Sequence, residues 1–205
     1  MKTLFACLTL VFALAACATP PPDNPDNACK IFEEKRSWYK ATKRAEKKWG
    51  TPKEIQLAII YQESAFEAKA KPERRRFLFV FPGLRRKSSS YGYSQAIDGT
   101  WDWYKKETGN RGADRDNFAD AADFVAWYGR QSKRIAGVAL NDGYNQYLAY
   151  HEGHQNYKEK SYRKRKRRWV MEAARNVDAR AARYRRQLAG CEKKFNRGIP
   201  LVPFI

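Results

Sequence analysis

Thr51-Pro52-Lys53-Glu54-Ile55-Gln56-Leu57-Ala58-Ile59-Ile60-Tyr61-Gln62-Glu63-Ser64-Ala65-Phe66 opens with helix-starting chemistry and closes on a carboxylate. Threonine at the cap, proline at the first helical position and glutamate three after the cap form a start signal. Side-chain oxygens satisfy free N–H groups at the helix start, and proline has none to satisfy. Ile55, Leu57, Ala58, Ile59 and Ile60 then draw the segment into a core. Glu63 falls where this apolar helix runs out, so its carboxylate is partly desolvated and its pKa rises toward neutrality. A glutamate still protonated near neutral pH can act as a general acid.

Working outward, most of the chain carries helical periodicity. Residues 30–48 place Ile31, Phe32, Trp38, Tyr39 and Ala45 amid charges, predicting one amphipathic helix that stops at Gly50. A helix is expected from Asp98 to Gly109 with Trp101 and Tyr104 turned inward. Asn117 caps a long helix in which Phe118, Ala121, Phe124, Val125 and Tyr128 recur at helical spacing. A shorter helix follows Asp142 and ends at Gly153, and Met171 to Leu188 forms an Arg-rich amphipathic one. Only Phe77 to Phe81 has strand character, with Pro82-Gly83 as the hairpin turn. The expected fold is mainly α: a single domain with a small β-hairpin insert, no internal repeat and no internal membrane span.

The N-terminus supplies an address. One charge, Lys2, precedes the apolar run Leu4 to Ala16, which is too short to span a bilayer comfortably. Leu14-Ala15-Ala16-Cys17 resembles the lipobox of bacterial lipoproteins, which implies lipidation at Cys17; the alternative is an ordinary secretory signal with an incidental cysteine. Ala18 rather than Asp after that cysteine implies outer-membrane sorting in a Gram-negative cell. The divisions expected are a signal peptide 1–16, a Pro-rich tether 17–28, a domain 29–192 that includes the basic C-terminal helix, and a tail 193–205. The tether's prolines favour extended backbone and its polar residues have nothing to bury. Cys29 and Cys191 are the two cysteines beyond the tether. In an oxidising compartment an even count predicts a disulfide between them, the alternative being two buried thiols.

The chain has 41 basic and 22 acidic residues, a formal net charge of +19. In a cytosolic protein Arg163-Lys164-Arg165-Lys166-Arg167-Arg168 would suggest nucleic acid. Export argues against that partner and toward anionic envelope polymers, which a cationic surface concentrates without reading their sequence. A solvated helix face explains the same arginines equally well.

Three ordered segments carry the chemistry: Glu63-Ser64, Gly92-Tyr93-Ser94-Gln95, and Ala149-Tyr150-His151-Glu152-Gly153. Together they resemble the signature of the family 1 lytic transglycosylases, the soluble-lytic-transglycosylase relatives of goose-type lysozyme. That family shows Glu-Ser, then Gly-Leu-x-Gln, then Ala-Tyr-Asn-x-Gly. The resemblance covers about residues 50 to 156. It implies a lysozyme-like domain acting on peptidoglycan glycan strands, with no cofactor. By position it implies Glu63 as the catalytic acid and Ser64, Gln95 and Tyr150 as substrate-binding residues. Ordinary glycosidases use a second carboxylate as base or nucleophile. The resemblance implies none here, because the muramic acid's own C6 hydroxyl attacks the anomeric carbon and leaves a 1,6-anhydro sugar.

The pattern has departures. His151 stands where the family has asparagine, Tyr93 and Ser94 replace an apolar pair, and Pro72 occupies a position where the family commonly has serine. Ser88, Ser89 and Ser90 are substitutes for that hydroxyl. The stretch between Glu63 and Gln95 is longer than usual, the excess falling in the basic and aromatic insert Lys71 to Tyr91. His151-Glu152-Gly153-His154 lacks the zincin spacing and has no third histidine, so no metal site is expected. Trp101, Trp103, Trp127 and Tyr128 are core aromatics by default, with room for one or two to stack on sugar. Two other readings stay open. One is a goose-type muramidase using water, with Glu67, Glu73, Asp98 or Glu152 as the second carboxylate. The other is a non-catalytic lipoprotein that binds peptidoglycan.

Overall fold

The computed structural model describes residues 19–72, 74–77, 81–86, 88–164 and 168–196. The signal peptide, Cys17, Glu73, residues 165–167 of the basic run and the tail beyond Asn196 therefore lie outside the described residues. The elements in order are α1 (Ala28–Glu34), α2 (Arg36–Trp49), α3 (Lys53–Ser64), β1 (Arg74–Phe77), β2 (Phe81–Arg86), α4 (Asp98–Thr108), α5 (Phe118–Ala136), α6 (Gly143–Glu152), α7 (His154–Lys158), α8 (Ser161–Lys164) and α9 (Arg168–Asn196). The architecture is mainly α, as expected.

Helix α9 is the long spine against which α1, α3 and α6 pack, while α2 lies on α5. Its buried stripe, Val170, Ala174, Val177, Ala181, Tyr184, Leu188, Cys191 and Phe195, follows the helical repeat. Trp38 of α2 stacks on Phe118 of α5 with ring centroids 3.7 Å apart and planes 2° from parallel. Phe66 and Tyr93 close around the same indole. Ile55, Leu57 and Ile60 of α3 are fully buried in this single core. Each such side chain stabilises the fold by about 1.5–3 kcal/mol. The expected disulfide is present: Cys29 of α1 is bonded to Cys191 of α9, tying the first helix to the last.

Four local expectations are corrected by tertiary contacts. Residues 30–48 form two helices, because Lys35 leaves helical geometry at φ −113° and ψ 68°. The Arg36 guanidinium, just past the break, donates to the Lys194 carbonyl of α9. Thr51 is not the cap of α3; Pro52 holds that position, and the Thr51 hydroxyl donates to the Ala126 carbonyl at 2.9 Å. Glu54 turns instead to Arg185 of α9, 2.7 Å away. Helix α5 comes this close at Gly129, where a Cβ would stand 2.4 Å from the Thr51 hydroxyl.

The hairpin exists, but Phe77 pairs with Phe81 and Arg76 with Pro82, so Pro82-Gly83 lies within β2 rather than in the turn. A two-stranded sheet has only edge strands, which tolerate proline. Residues 22–27, expected as part of a solvated tether, are docked, while Thr19, Pro20 and Pro21 are exposed. Pro22 is buried, Asp26 accepts from Arg180 and Arg183 at 2.6 and 2.8 Å, and the Tyr184 hydroxyl donates to the Pro25 carbonyl. Asn27 then caps α1 through Lys30 N. Prolines lack donors but keep their carbonyls, and α9 supplies the donors.

Candidate active site

Glu63 sits in the last turn of α3, one residue before the helix ends. The helix closes through Ala65 N donating to Tyr61 O at 2.8 Å, and Ala65 and Phe66 both take positive φ, 50° and 65°. Phe66 is wholly buried against Trp38 and Tyr61, which holds that conformation in place. Gln95 also has positive φ, so three of the four non-glycine residues with this geometry among the described residues flank one site. Backbone strain collected in this way accompanies functional sites, where surrounding packing over-determines it.

The second component is the loop before α4. Gly92 N donates to Ala70 O and Tyr93 N to Arg115 O, each at 3.0 Å. Gly92 has φ +75°, and a Cβ there would stand 2.1 Å from the Arg115 carbonyl oxygen, so only glycine fits. Tyr93, a departure from the family's apolar pair, keeps the apolar role: it is buried edge-on against Trp38 and Phe118. Gln95 lines the cleft but commits its amide to the loop, donating to Ala70 O at 3.0 Å and Gly92 O at 2.8 Å. Its Oε1 accepts from Ser90.

Helix α6 supplies the third wall. Its start is fixed by Asp142, whose carboxylate accepts from Asn145 N, and its end by Gly153. Tyr150 lines the cleft and donates its hydroxyl to Ser94 O at 2.6 Å, joining α6 to the loop. One turn earlier, the Tyr147 hydroxyl comes close enough to the Glu63 carboxyl to favour its charged form.

These walls enclose a cleft of about 370 Å³ that Glu63, Gln95 and Tyr150 share. Burial pushes the Glu63 carboxyl up to about 7, opposed in part by the Tyr147 hydroxyl. Its Oε1 is buried and accepts no hydrogen bond within the described residues. Burial likewise raises Tyr147 and Tyr150 well above the ordinary phenol range, with the Glu63 charge adding to both. Both phenols are therefore neutral donors and Glu63 is a carboxyl poised to exchange a proton near neutrality.

The remaining expected residues divide. Ser64 is buried, its hydroxyl bonded back to Ile60 O at 3.1 Å, and it does not line the cleft. Of the serines expected as substitutes for the hydroxyl absent at Pro72, Ser88 and Ser90 line the cleft. Of the second carboxylates, Glu152 lines the cleft and lies 3.3 Å from His151 Nδ1, Asp98 is exposed and ion-paired with Arg115 at 2.9 Å, and Glu67 is exposed. His154 stacks on Tyr128 with centroids 4.4 Å apart and pairs with the Ser132 hydroxyl. Burial and nearby Arg134 lower its pKa to about 4, which keeps it neutral. Trp101 and Trp127 are core, whereas Tyr128 reaches the cleft. Tyr147 was not among the expected site residues; its signal was a position one turn before Tyr150 on the same helix.

The model of the family described as Transglycosylase SLT domain matches residues 5–191. No curated protein and no solved structure matches the chain. A match over nearly the whole chain, on a helical domain whose ordered motifs meet in one cleft, shows that this chain belongs to the transglycosylase SLT domain family, the peptidoglycan lytic transglycosylases.

Proposed function

We propose that the chain is a membrane-anchored lytic transglycosylase that cleaves the β-1,4 bond between N-acetylmuramic acid and N-acetylglucosamine with Glu63 as its one catalytic acid and base. The observation that carries this reading is the Glu63 carboxyl, raised to about 7 by burial at a cleft wall. Protonated Glu63 gives its proton to the glycosidic oxygen as the bond from that oxygen to the muramic C1 breaks. The muramic C6 hydroxyl then bonds to C1 and returns its proton to Glu63, leaving a 1,6-anhydro end and a regenerated acid. Tyr147 steadies the carboxylate formed between the two transfers. Tyr150 and Gln95, both tied to the 92–95 loop, hold the wall against which the sugar lies. Ser64 fixes the helix end that aims Glu63.

Leu14-Ala15-Ala16-Cys17 supports a lipid anchor at Cys17 and, with Ala18 following, a periplasm-facing site on the outer membrane. Incorporation of an alkyne fatty acid into the wild type and not into Cys17→Ser tests the anchor.

Digestion of purified sacculi followed by mass spectrometry tests the chemistry. Anhydromuramyl ends are expected from the wild type and no products from Glu63→Gln; an active Glu63→Gln protein overturns the assignment of the acid. A second reading, hydrolysis by water, is favoured by one observation: Glu152 lines the same cleft. Reducing ends that disappear in Glu152→Gln would select it.

A further inference from the structure

Among the described residues two large apolar side chains are exposed, Ile97 at 48 % and Trp169 at 56 %. Both flank the Glu63 cleft. Ile97 lines it directly. Trp169, in the first turn of α9, meets the cleft-lining His151 with ring centroids 4.9 Å apart and planes at 87°. His151 in turn packs on Tyr147 one turn back along α6, centroids 6.0 Å apart, and the Tyr147 hydroxyl acts on the Glu63 carboxyl. A row of rings thus runs from the acid to solvent: Tyr147, His151, Trp169.

Trp169 is not needed to seat α9. Val170, Ala173, Ala174 and Val177 fill the buried stripe there, while the indole stands outside it. An indole that keeps over half its surface in water forgoes the favourable burial that large aromatics otherwise gain. It is also fixed, with one face or edge held by the imidazole, so presenting its free surface costs little further ordering.

We propose that Trp169 is a stacking platform for a pyranose ring of the glycan strand, next to the ring whose bond Glu63 attacks, with Ile97 as an apolar contact across the cleft for an N-acetyl methyl. This rests on the reading of the site as a glycan cleft. The occupant follows from chemistry: the C–H face of a β-linked, N-acetylated sugar is apolar and uncharged, so a ring and a methyl-bearing side chain recognise it. The pairing of His151 with Trp169 also explains the histidine that replaces the family's asparagine, since the imidazole orients the indole.

The test uses the full-length protein and solubilised, peptide-free glycan strands. In a Glu63→Gln background, calorimetry should show Trp169→Ala binding these strands about tenfold more weakly, the scale of one aromatic contact, with Trp169→Phe near the parent and Trp169→Leu as weak as alanine. In the active protein Trp169→Ala should raise KM about tenfold with kcat within twofold. Unchanged binding and KM in Trp169→Ala overturn the proposal, as does leucine performing as well as tryptophan. Loss of binding to anionic vesicles with glycan binding intact would also overturn it, making the indole a membrane contact. If the wild type binds strands through Trp169 but releases no products, the platform stands and the catalytic reading fails.

Discussion

The Tyr147 hydroxyl of α6 acts on the Glu63 carboxyl of α3, and burial and the phenol pull in opposite directions on one proton. Burial holds the proton on Glu63; the phenol favours its release. The balance places the carboxyl at about 7, so the acid form is lost as pH rises through neutrality. The wild-type kcat/KM profile should therefore have an alkaline limb near pH 7. In Tyr147→Phe the opposing hydroxyl is gone, and the limb should move upward by up to about one pH unit, the scale of one polar contact. A limb that stays put would remove Tyr147 from the proton balance.

Stability should carry the mark of the same carboxyl. Its folded pKa of about 7 exceeds the ordinary 4.5, so the folded state binds more protons than the unfolded state between those two pH values. This group therefore costs nothing below pH 4.5, and stability falls as pH rises from 4.5 to about 7. The full penalty, at most about 3 kcal/mol, persists above that window. Glu63→Gln removes it. Denaturant titration should find the variant more stable than the wild type at pH 8 and equal to it at pH 4, although it has lost its activity.

Gly92→Ala should damage fold and activity together. The added Cβ meets the Arg115 carbonyl at 2.1 Å, backbone that cannot swing aside, and φ is +75°. A loss of more than about 2 kcal/mol is expected from clash and strain, and product release from sacculi should fall with it because the loop carries Gln95 and the Tyr150 partner Ser94. Gly112→Ala, where nothing lies within 4 Å, is the control and should be close to neutral in both assays.

Breaking the Cys29–Cys191 bond should cost about 3–5 kcal/mol, because it closes a loop with a sequence separation of 162 residues. The Cys29→Ser/Cys191→Ser protein should melt well below the wild type, and a reductant should lower the wild-type melting temperature while leaving that of the double variant alone.

What the sequence disclosed depended on how local the determinant was. Asn117, Asp142 and Gly109 bound their helices through neighbouring backbone, and α4, α5 and α6 begin and end beside them as expected. Thr51-Pro52-Lys53-Glu54 marked the right helix for the wrong reason, since the threonine and glutamate side chains are claimed by Ala126 and Arg185, far along the chain. The break at Lys35 has the same origin. No local rule places a stop there, but α1 is bonded to α9 at Cys29 while α2 lies on α5. In the site, Glu63, Gln95 and Tyr150 share a cleft as their motif order suggested, whereas Ser64 turns into its own helix. Tyr147 and Trp169 were illegible for a simple reason: their partners, Glu63 and His151, come from other helices.

The docked N-terminal segment also sets where force would travel. A pull applied at Thr19 enters the domain through Asp26 on Arg180 and Arg183 and through Pro25 on Tyr184, and is stopped at the covalent Cys29–Cys191 link. The load path is therefore α1 and the C-terminal half of α9. Arg180 also lies over the Tyr61 ring at 3.6 Å, and Tyr61 shares α3 with Glu63, so a pull on this segment that the covalent link does not absorb would be felt at the cleft wall.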